Sequence, residues 1–486
     1  MSAKRILIGG TASHVGKSWM ATALCAWLRR RGVRAAPFKA QNMSNNSYPC
    51  PGGGEIGRAQ VAQAEACGLE PSVDMNPILL KPSGETESQV VLQGKVWKTL
   101  SAREYYEHHE FLASKVQESF DRLASQYEFI VIEGAGSLAE LNLRRSDLVN
   151  LGLARKLRAP VLLVADIDRG GVFAAVYGTI ALLEPSEATL LKAFAVNRFR
   201  GDPALFASGA RLLEAKTGKP CLGVFPYAGE IRLDEEDSVA LSVVLDSPAF
   251  DAPALGSSKQ LPSDASSVAT AIAILRLPRV SNLTDFRLLR WAEWIERPGN
   301  RQYGVVILPG TKNTVSDLAW MRRQGLDGWV REQHAGGALV IGICGGYQIL
   351  GERIEDPLGV ESEQRSVPGL GLLPVVTTLH EKKTTEVVEA VTAKGIRFRA
   401  YEIHMGETEK LSQADSFATV DRRPEGIRRN RCVGTYLHGA LEDEAVVEEL
   451  TGFRPPPAPP KSQTYERLAD WFEAAADVKF FEQTYL

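Results

Sequence analysis

The sequence predicts an α/β protein of two tandem α/β domains, and three observations lead there. Along 1–245, short continuous apolar runs alternate with longer helical stretches, the pattern of strands buried on both faces of a mostly parallel sheet. The same alternation resumes near residue 271 and continues to about 450. Between the two, 246–267 reads DSPAFDAPALGSSKQLPSDASS, rich in Pro, Ser and Ala without apolar periodicity, which is linker chemistry. The expected organisation is a domain over 1–245, a linker over 246–267, a second domain over 268–450 and a tail over 451–486.

The strands of the first domain are expected at 5–8, 33–38, 129–132, 161–164, 193–196 and 221–224, and those of the second at 271–275, 305–308 and 338–343. PPPAPP at 455–460 reads as a stiff extended connector. After it, Leu468, Trp471 and Phe472 recur at helical spacing, so one terminal helix over 465–481 is expected to dock on a domain.

Composition narrows the class. With 486 residues, 44% hydrophobic and 24% charged, the chain is neither collagen-like, coiled-coil nor wholly disordered. A net charge of −3 argues against a strongly basic nucleic-acid binder. No apolar run reaches membrane-span length, and the one in MSAKRILIGGTASH is too short for a signal peptide. Cys25, Cys50, Cys67, Cys221, Cys344 and Cys432 form no C-x-x-C pair and are too sparse for a disulfide scaffold, which favours a reducing compartment. A cytoplasmic protein with neither nucleic-acid nor membrane partners is expected. Oligomeric state is not readable.

Ligands of such sheets bind beyond the carboxyl ends of strands. After the first strand stands Gly9-Gly10-Thr11-Ala12-Ser13-His14-Val15-Gly16-Lys17-Ser18, then an apolar helix. This is a variant of the phosphate loop G-x-x-x-x-G-K-[ST]: Thr11 holds the first glycine's position and Gly10 lies one residue earlier. Backbone N–H groups and the helix dipole would cradle phosphates. Lys17 would neutralise their charge, and the Ser18 hydroxyl would bind Mg²⁺. Glu133, ending a later strand in Ile132-Glu133-Gly134-Ala135-Gly136, can hold that cation from the opposite side. Glu55, after three glycines, and Asp147, Asp166 and Asp168 are further carboxylate candidates.

In the second domain the strand 338–343 runs into Gly342-Ile343-Cys344-Gly345-Gly346 and then a helix-like YQILG. This is the nucleophile-elbow pattern with Cys in place of Ser, and the helix start stabilises a thiolate. A cysteine nucleophile needs a base. Of seven histidines, His438 in Gly-Thr-Tyr-Leu-His438-Gly, ending a short apolar run, is the first choice. His404 lies in Tyr-Glu-Ile-His404-Met-Gly.

GTASHVGKS, Lys39, EGAGS and Val196-Asn197-Arg198 together resemble the dethiobiotin synthetase family over most of 1–235. The resemblance implies a P-loop NTPase fold that activates a carboxylate by phosphorylation. It places ATP against Gly10, Thr11, Gly16, Lys17, Ser18 and Asn197, and a metal at Ser18 and Glu133. From about 271 to 450, VVILPGTKN, GICGGYQ and YLHG resemble class I glutamine amidotransferase domains. That implies Cys344 attacking the glutamine amide, His438 moving protons and Gly310 and Gly345 lining an oxyanion hole. The family's acid two residues after the histidine is Ala440 here. Glu402, Glu442 or Asp443 orienting His438, or a Cys–His dyad, stay open.

Along nearly the whole chain, KAQNMSNNSY, GGGEIGRAQVAQA, MNPILLKP, NLRRSDLVNLGLA, DIDRGGVFA, VNRFRGD and YEIHMGET resemble the cobyric acid synthase family. This implies four amidations, at b, d, e and g of adenosylcobyrinic acid a,c-diamide, with L-glutamine, ATP and Mg²⁺. It puts Asn42, Glu55 and Arg58 in blocks meeting nucleotide, metal or corrinoid, with Lys39, Asp147 and Asp166 as substrate or phosphoryl-transfer candidates. A carboxylate-rich substrate also favours nearby Arg144, Arg145 and Arg169. The alternatives are a cobyrinic acid a,c-diamide synthase, a regulatory P-loop ATPase whose cysteine domain is degenerate, and a dethiobiotin-type ligase using carbon dioxide.

Overall fold

The computed structural model describes residues 3–84, 86–231, 233, 271–457 and 459–486, without the Arg145 side chain. The expected linker, 246–267, lies outside the described residues. Six parallel strands form the first sheet, in the order Cys221–Pro226, Leu191–Phe199, Val161–Asp166, Lys4–Gly10, Phe129–Glu133 and Ala35–Phe38. Its central strands are buried on both faces, as their unbroken apolar runs require. In the second domain Glu293–Ile295, Ile272–Leu275, Val305–Leu308, Leu339–Ile343 and Cys432–Thr435 pair in parallel, and Ile427–Arg429 closes the edge antiparallel. The carboxyl ends of Lys4–Gly10 and Leu339–Ile343 carry the two motifs. Among the described residues no helix is long and apolar enough to cross a membrane.

Three features depart from the sequence reading. Between Ala35–Phe38 and Phe129–Glu133, the first sheet's second and third strands in chain order, Gln41–Met43, Ile78–Pro82, Glu87–Leu92 and Lys95–Ser101 make a small separate sheet. In the second domain Val375–Thr392 and Arg397–Lys410 form a long antiparallel hairpin. The C-terminal helix is two helices, Lys461–Ala475 and Val478–Tyr485. The break comes where Ala476 turns extended and the Asp477 side chain accepts from Phe480 N–H, capping the second helix. Both dock on the first domain, where Phe472 and Phe481 pack against Trp27 at 5.4 and 5.6 Å between ring centroids.

The domains meet through polar contacts. Asn282 Oδ1 accepts from Ser47 N–H at 3.1 Å. Tyr48 packs edge-on to Tyr401, 4.8 Å between centroids. Lys383, from the long hairpin, reaches across to pair with Glu55. Glu55 is buried, and its other oxygen accepts from Lys81 Nζ and Ser47 Oγ, each at 2.7 Å. Burial alone would raise the Glu55 pKa, but Lys383 and then Lys81 more than offset this and hold it well below the ordinary carboxylate value. Burial pulls Lys81 down to about 7 against the pull of Glu55. Glu55 therefore stabilises the fold throughout the neutral range. Its contribution is present above the unfolded value of about 4.3 and lost only as acid approaches its depressed native value. Glu55→Gln strands two buried lysines and should cost about 3–5 kcal/mol, read as a lowered unfolding midpoint at pH 7. A midpoint equal to that of the parent chain would refute this role.

Candidate active sites

The first site forms where the strand Lys4–Gly10 turns into the helix Lys17–Arg30. Gly10 is needed for space: a Cβ there would lie 2.8 Å from Val15 Cγ2. Gly16 sits at φ 97° immediately before the helix, in the left-handed region that glycine adopts without strain. No side chain caps this helix start, so its first N–H groups suit an anion. Lys17 Nζ donates to Ala12 O and Gly136 O, both at 2.9 Å, spanning the loop and the turn after Glu133. Thr11 N–H is fixed by Val164 O at 3.0 Å.

Glu133, 1% exposed, gathers the polar groups. Its Oε1 accepts from Ser18 Oγ at 2.7 Å and from Lys39 Nζ at 2.9 Å, and its Oε2 accepts from Gln63 Nε2 at 2.5 Å. A hydroxyl and a carboxylate beside a phosphate loop fit Mg²⁺, which takes one or two protein oxygens and fills the rest with phosphates and water. Gln60 and Gln63, unmarked in the sequence reading, enter here from the helix Arg58–Cys67.

Other expected residues have different surroundings. Glu55 is occupied by the two lysines described above rather than standing with Ser18 and Glu133. Asn197 Nδ2 donates to Val15 O at 2.9 Å and abuts Gly16, so it braces the loop. Asn42 Nδ2 donates to Gln60 Oε1 at 2.9 Å. Arg58 lies over the Tyr48 ring, 4.8 Å from its centroid, at the domain boundary. Asp147 accepts from the N–H groups of Val149, Asn150 and Gly152, holding the turn into the helix Leu151–Leu157. Asp166 pairs with Arg198 at 3.0 Å, and Asp168 with Arg200. Arg144 pairs with Glu184 and Glu187, and Arg169 is exposed.

The second site is the elbow. Cys344 is held at φ 50°, ψ −108°, between the strand Leu339–Ile343 and the helix Gly345–Leu350. That conformation is strained for a residue with a Cβ and aims the side chain off the strand end. The flanking glycines are steric requirements: a Cβ on Gly342 would come 2.6 Å from Leu350 Cδ1, and one on Gly345 2.6 Å from Thr311 Cγ2. Cys344 Sγ contacts Ile403 O at 3.5 Å. Gly310 borders the same imidazole; a Cβ on it would lie 2.9 Å from His438 Cε1.

His438 is wholly buried and fixed on all sides. Its Nδ1 bonds Asp285 Oδ2 at 2.8 Å, and Asp285 Oδ1 accepts from Gly439 N–H at 2.7 Å. Its ring stacks on Tyr401, 5.2 Å between centroids. Asn282 Nδ2 lies 3.2 Å from Nε2. Burial lowers the His438 pKa, but Asp285 and then Cys344 outweigh it and push it up to about 10. The carboxylate beside the imidazole is thus Asp285, which the sequence reading missed. The three acids considered there are engaged elsewhere: Glu402 with Arg423 at 3.1 Å, Glu442 with Arg287 at 2.9 Å, and Asp443 capping the helix Glu444–Thr451. His404 stacks on Tyr436 and bonds Gly406 O through Nδ1.

The space in front of Cys344 is built by both domains. Thr311, Lys312, Gln348, Glu361 and Lys383 line it from the second, and Asn45 and Lys81 from the first.

Residues 6–239 match the family model of the CobQ/CobB/MinD/ParA nucleotide binding domain. Residues 271–446 match that of the CobB/CobQ-like glutamine amidotransferase domain. A nucleotide-binding half and an amidotransferase half on one chain define a glutamine-dependent amidoligase. The cobyric acid synthase of Syntrophobacter fumaroxidans is 41% identical, with 98% of each chain covered. That of Chlorobium phaeobacteroides is 43% identical over 98% of this chain and 96% of its own. The probable cobyric acid synthase of Methanoculleus marisnigri is 45% identical over 92% and 89%. This chain belongs to the cobyric acid synthase family.

Proposed function

We propose that the chain amidates the b, d, e and g carboxylates of adenosylcobyrinic acid a,c-diamide, using ATP and glutamine. The observation that carries this is the shared wall: Asn45 and Lys81 of the nucleotide-binding half line the space before Cys344. Ammonia released there emerges against the domain that would consume it.

In the glutaminase step the Cys344 thiolate attacks the glutamine amide carbon. The oxyanion is held by backbone N–H groups at the elbow, with Gly310 and Gly345 as its lining. His438 gives its proton to the departing nitrogen, ammonia leaves, and water then cleaves the thioester to glutamate. Asp285 holds Nδ1 and stabilises the imidazolium. In the ligase step a substrate carboxylate oxygen attacks the γ-phosphorus of ATP, and ADP departs. Ammonia then attacks the acyl phosphate, releasing phosphate and a proton. Lys17 and the N–H groups of the loop and helix start bind and orient the phosphates. Ser18 and Glu133 would hold Mg²⁺, which supplies charge neutralisation at the transferring phosphoryl group. Lys39, bonded to Glu133, sits where it can attract the substrate carboxylate.

Mass spectrometry of the corrin diamide incubated with protein, ATP, Mg²⁺ and glutamine tests this reading. Successive acid-to-amide mass shifts are expected; an unchanged corrin would sink it. Lys17→Met removes charge-assisted bonds to phosphate. Nucleotide affinity should fall about ten- to hundredfold by calorimetry, and amidation should fail with glutamine and with ammonia alike. An unaltered affinity would remove Lys17 from the site.

A further inference from the structure

The first domain holds a second, larger cavity of about 670 Å³, within the range of roughly 300–1,000 Å³ typical of small-molecule sites. At one end it reaches Gly136 and Ser137, and Gly136 O is a Lys17 acceptor. Its side wall is the strand Ile78–Pro82. Side chains alternate across a strand, and here Leu80 and Pro82 line the large cavity while Lys81 lines the space before Cys344. The cavity therefore reaches the turn whose Gly136 carbonyl holds Lys17 of the phosphate loop, and it stands one strand away from the space before Cys344. At its mouth, Met43, Tyr106 and Leu143 are 54%, 44% and 40% exposed. Large apolar side chains left in water around one cavity mark a binding surface.

We propose that this cavity binds an edge of the corrin macrocycle and presents one peripheral carboxylate to the phosphate loop. The assignment rests on the function proposed above. An acceptor must lie within reach of both the phosphoryl donor and the ammonia source, and this cavity ends at the turn that holds Lys17 and backs, across the strand Ile78–Pro82, onto the space before Cys344. The apolar mouth takes the alkyl-rich face of the ring. Glu87 and Glu140 on the lining accept amide N–H groups and repel carboxylates. They favour the amidated edge of a diamide and turn the remaining acids toward the Gly136 end, on whose carbonyl Lys17 is held, while Arg144, the cation on the lining, is paired with Glu187.

Equilibrium dialysis against cobyrinic acid a,c-diamide, with ATP and Mg²⁺ present and the corrin read by visible absorbance, tests the placement. Met43→Glu and Leu143→Glu put charge on exposed positions where little packing is lost. Each should weaken corrin binding at least about tenfold, since each removes a buried apolar contact in the complex. Leu205→Glu, at an apolar position 78% exposed and absent from the cavity lining, should bind like the parent chain. Unfolding midpoints of all three check the fold. Parent-like binding by both Met43→Glu and Leu143→Glu would overturn the placement while leaving the proposed function standing. A parent chain that binds no corrin would overturn both.

Discussion

Cys344→Ala is expected to abolish glutamine hydrolysis and glutamine-dependent amidation, by at least about 10⁴-fold. Amidation should persist with ammonium salts at alkaline pH, where more of the nitrogen is unprotonated. The effect should be large because, in the proposed mechanism, one sulfur at a strained elbow does the covalent work. It is selective because the phosphate loop lies on a different sheet. Released glutamate and amidated corrin, measured in parallel with each nitrogen source, check it. Residual glutamine hydrolysis near the parent rate would remove Cys344 as nucleophile. Failure with ammonia by a folded variant would mean that the two halves are not separable as drawn.

Asp285→Asn should lower the glutamine hydrolysis rate by roughly 10⁴-fold, the loss seen when a carboxylate orienting a catalytic histidine is neutralised. The carboxylate does two jobs. It accepts from Nδ1, leaving Nε2 as the nitrogen for proton transfer, and it raises the His438 pKa to about 10 despite complete burial. Without it, burial favours the neutral imidazole. A histidine with a raised folded pKa contributes stability that is fully present below its unfolded value of about 6.5 and is lost as pH rises through about 10. The parent chain should lose stability across that window, and Asp285→Asn should lose less. Urea midpoints at the two ends of the window measure this. A parent-like rate and an unchanged pH slope in Asp285→Asn would show that the carboxylate neither orients nor charges His438.

Both nucleophilic and phosphate-binding motifs were legible in the sequence because each is local. A strand, a glycine turn and a helix start are contiguous, so Gly10 to Ser18 and Gly342 to Gly346 carry their own context. The parallel strands were legible for a related reason: burial on both faces leaves an unbroken apolar run. Asp285 was not legible. It lies 153 residues before His438, in the short turn Leu283–Phe286, and nothing in its neighbours marks an acid that folding buries completely. Glu55 misled for the opposite reason. The glycines before it resemble a ligand loop, yet Gly52, Gly53 and Gly54 all have positive φ and form the turn between Ser47–Pro49 and Glu55–Gly57. The acid's partner, Lys383, comes from the other domain. The small sheet escaped because its strands mix polar and apolar residues, and its tightest turn, Gln93-Gly94, with both residues at positive φ, lacks the Asn-Gly signature of such hairpins.

Ammonia made at Cys344 is expected to be consumed in the adjoining domain without leaving the protein. Glutamine carrying heavy nitrogen at its amide, supplied with ATP, Mg²⁺ and the corrin diamide in an excess of unlabelled ammonium, tests it most directly. Mass spectra of the product should show the new amides carrying the heavy label. Amides that instead match the isotope ratio of the ammonium pool would contradict the account.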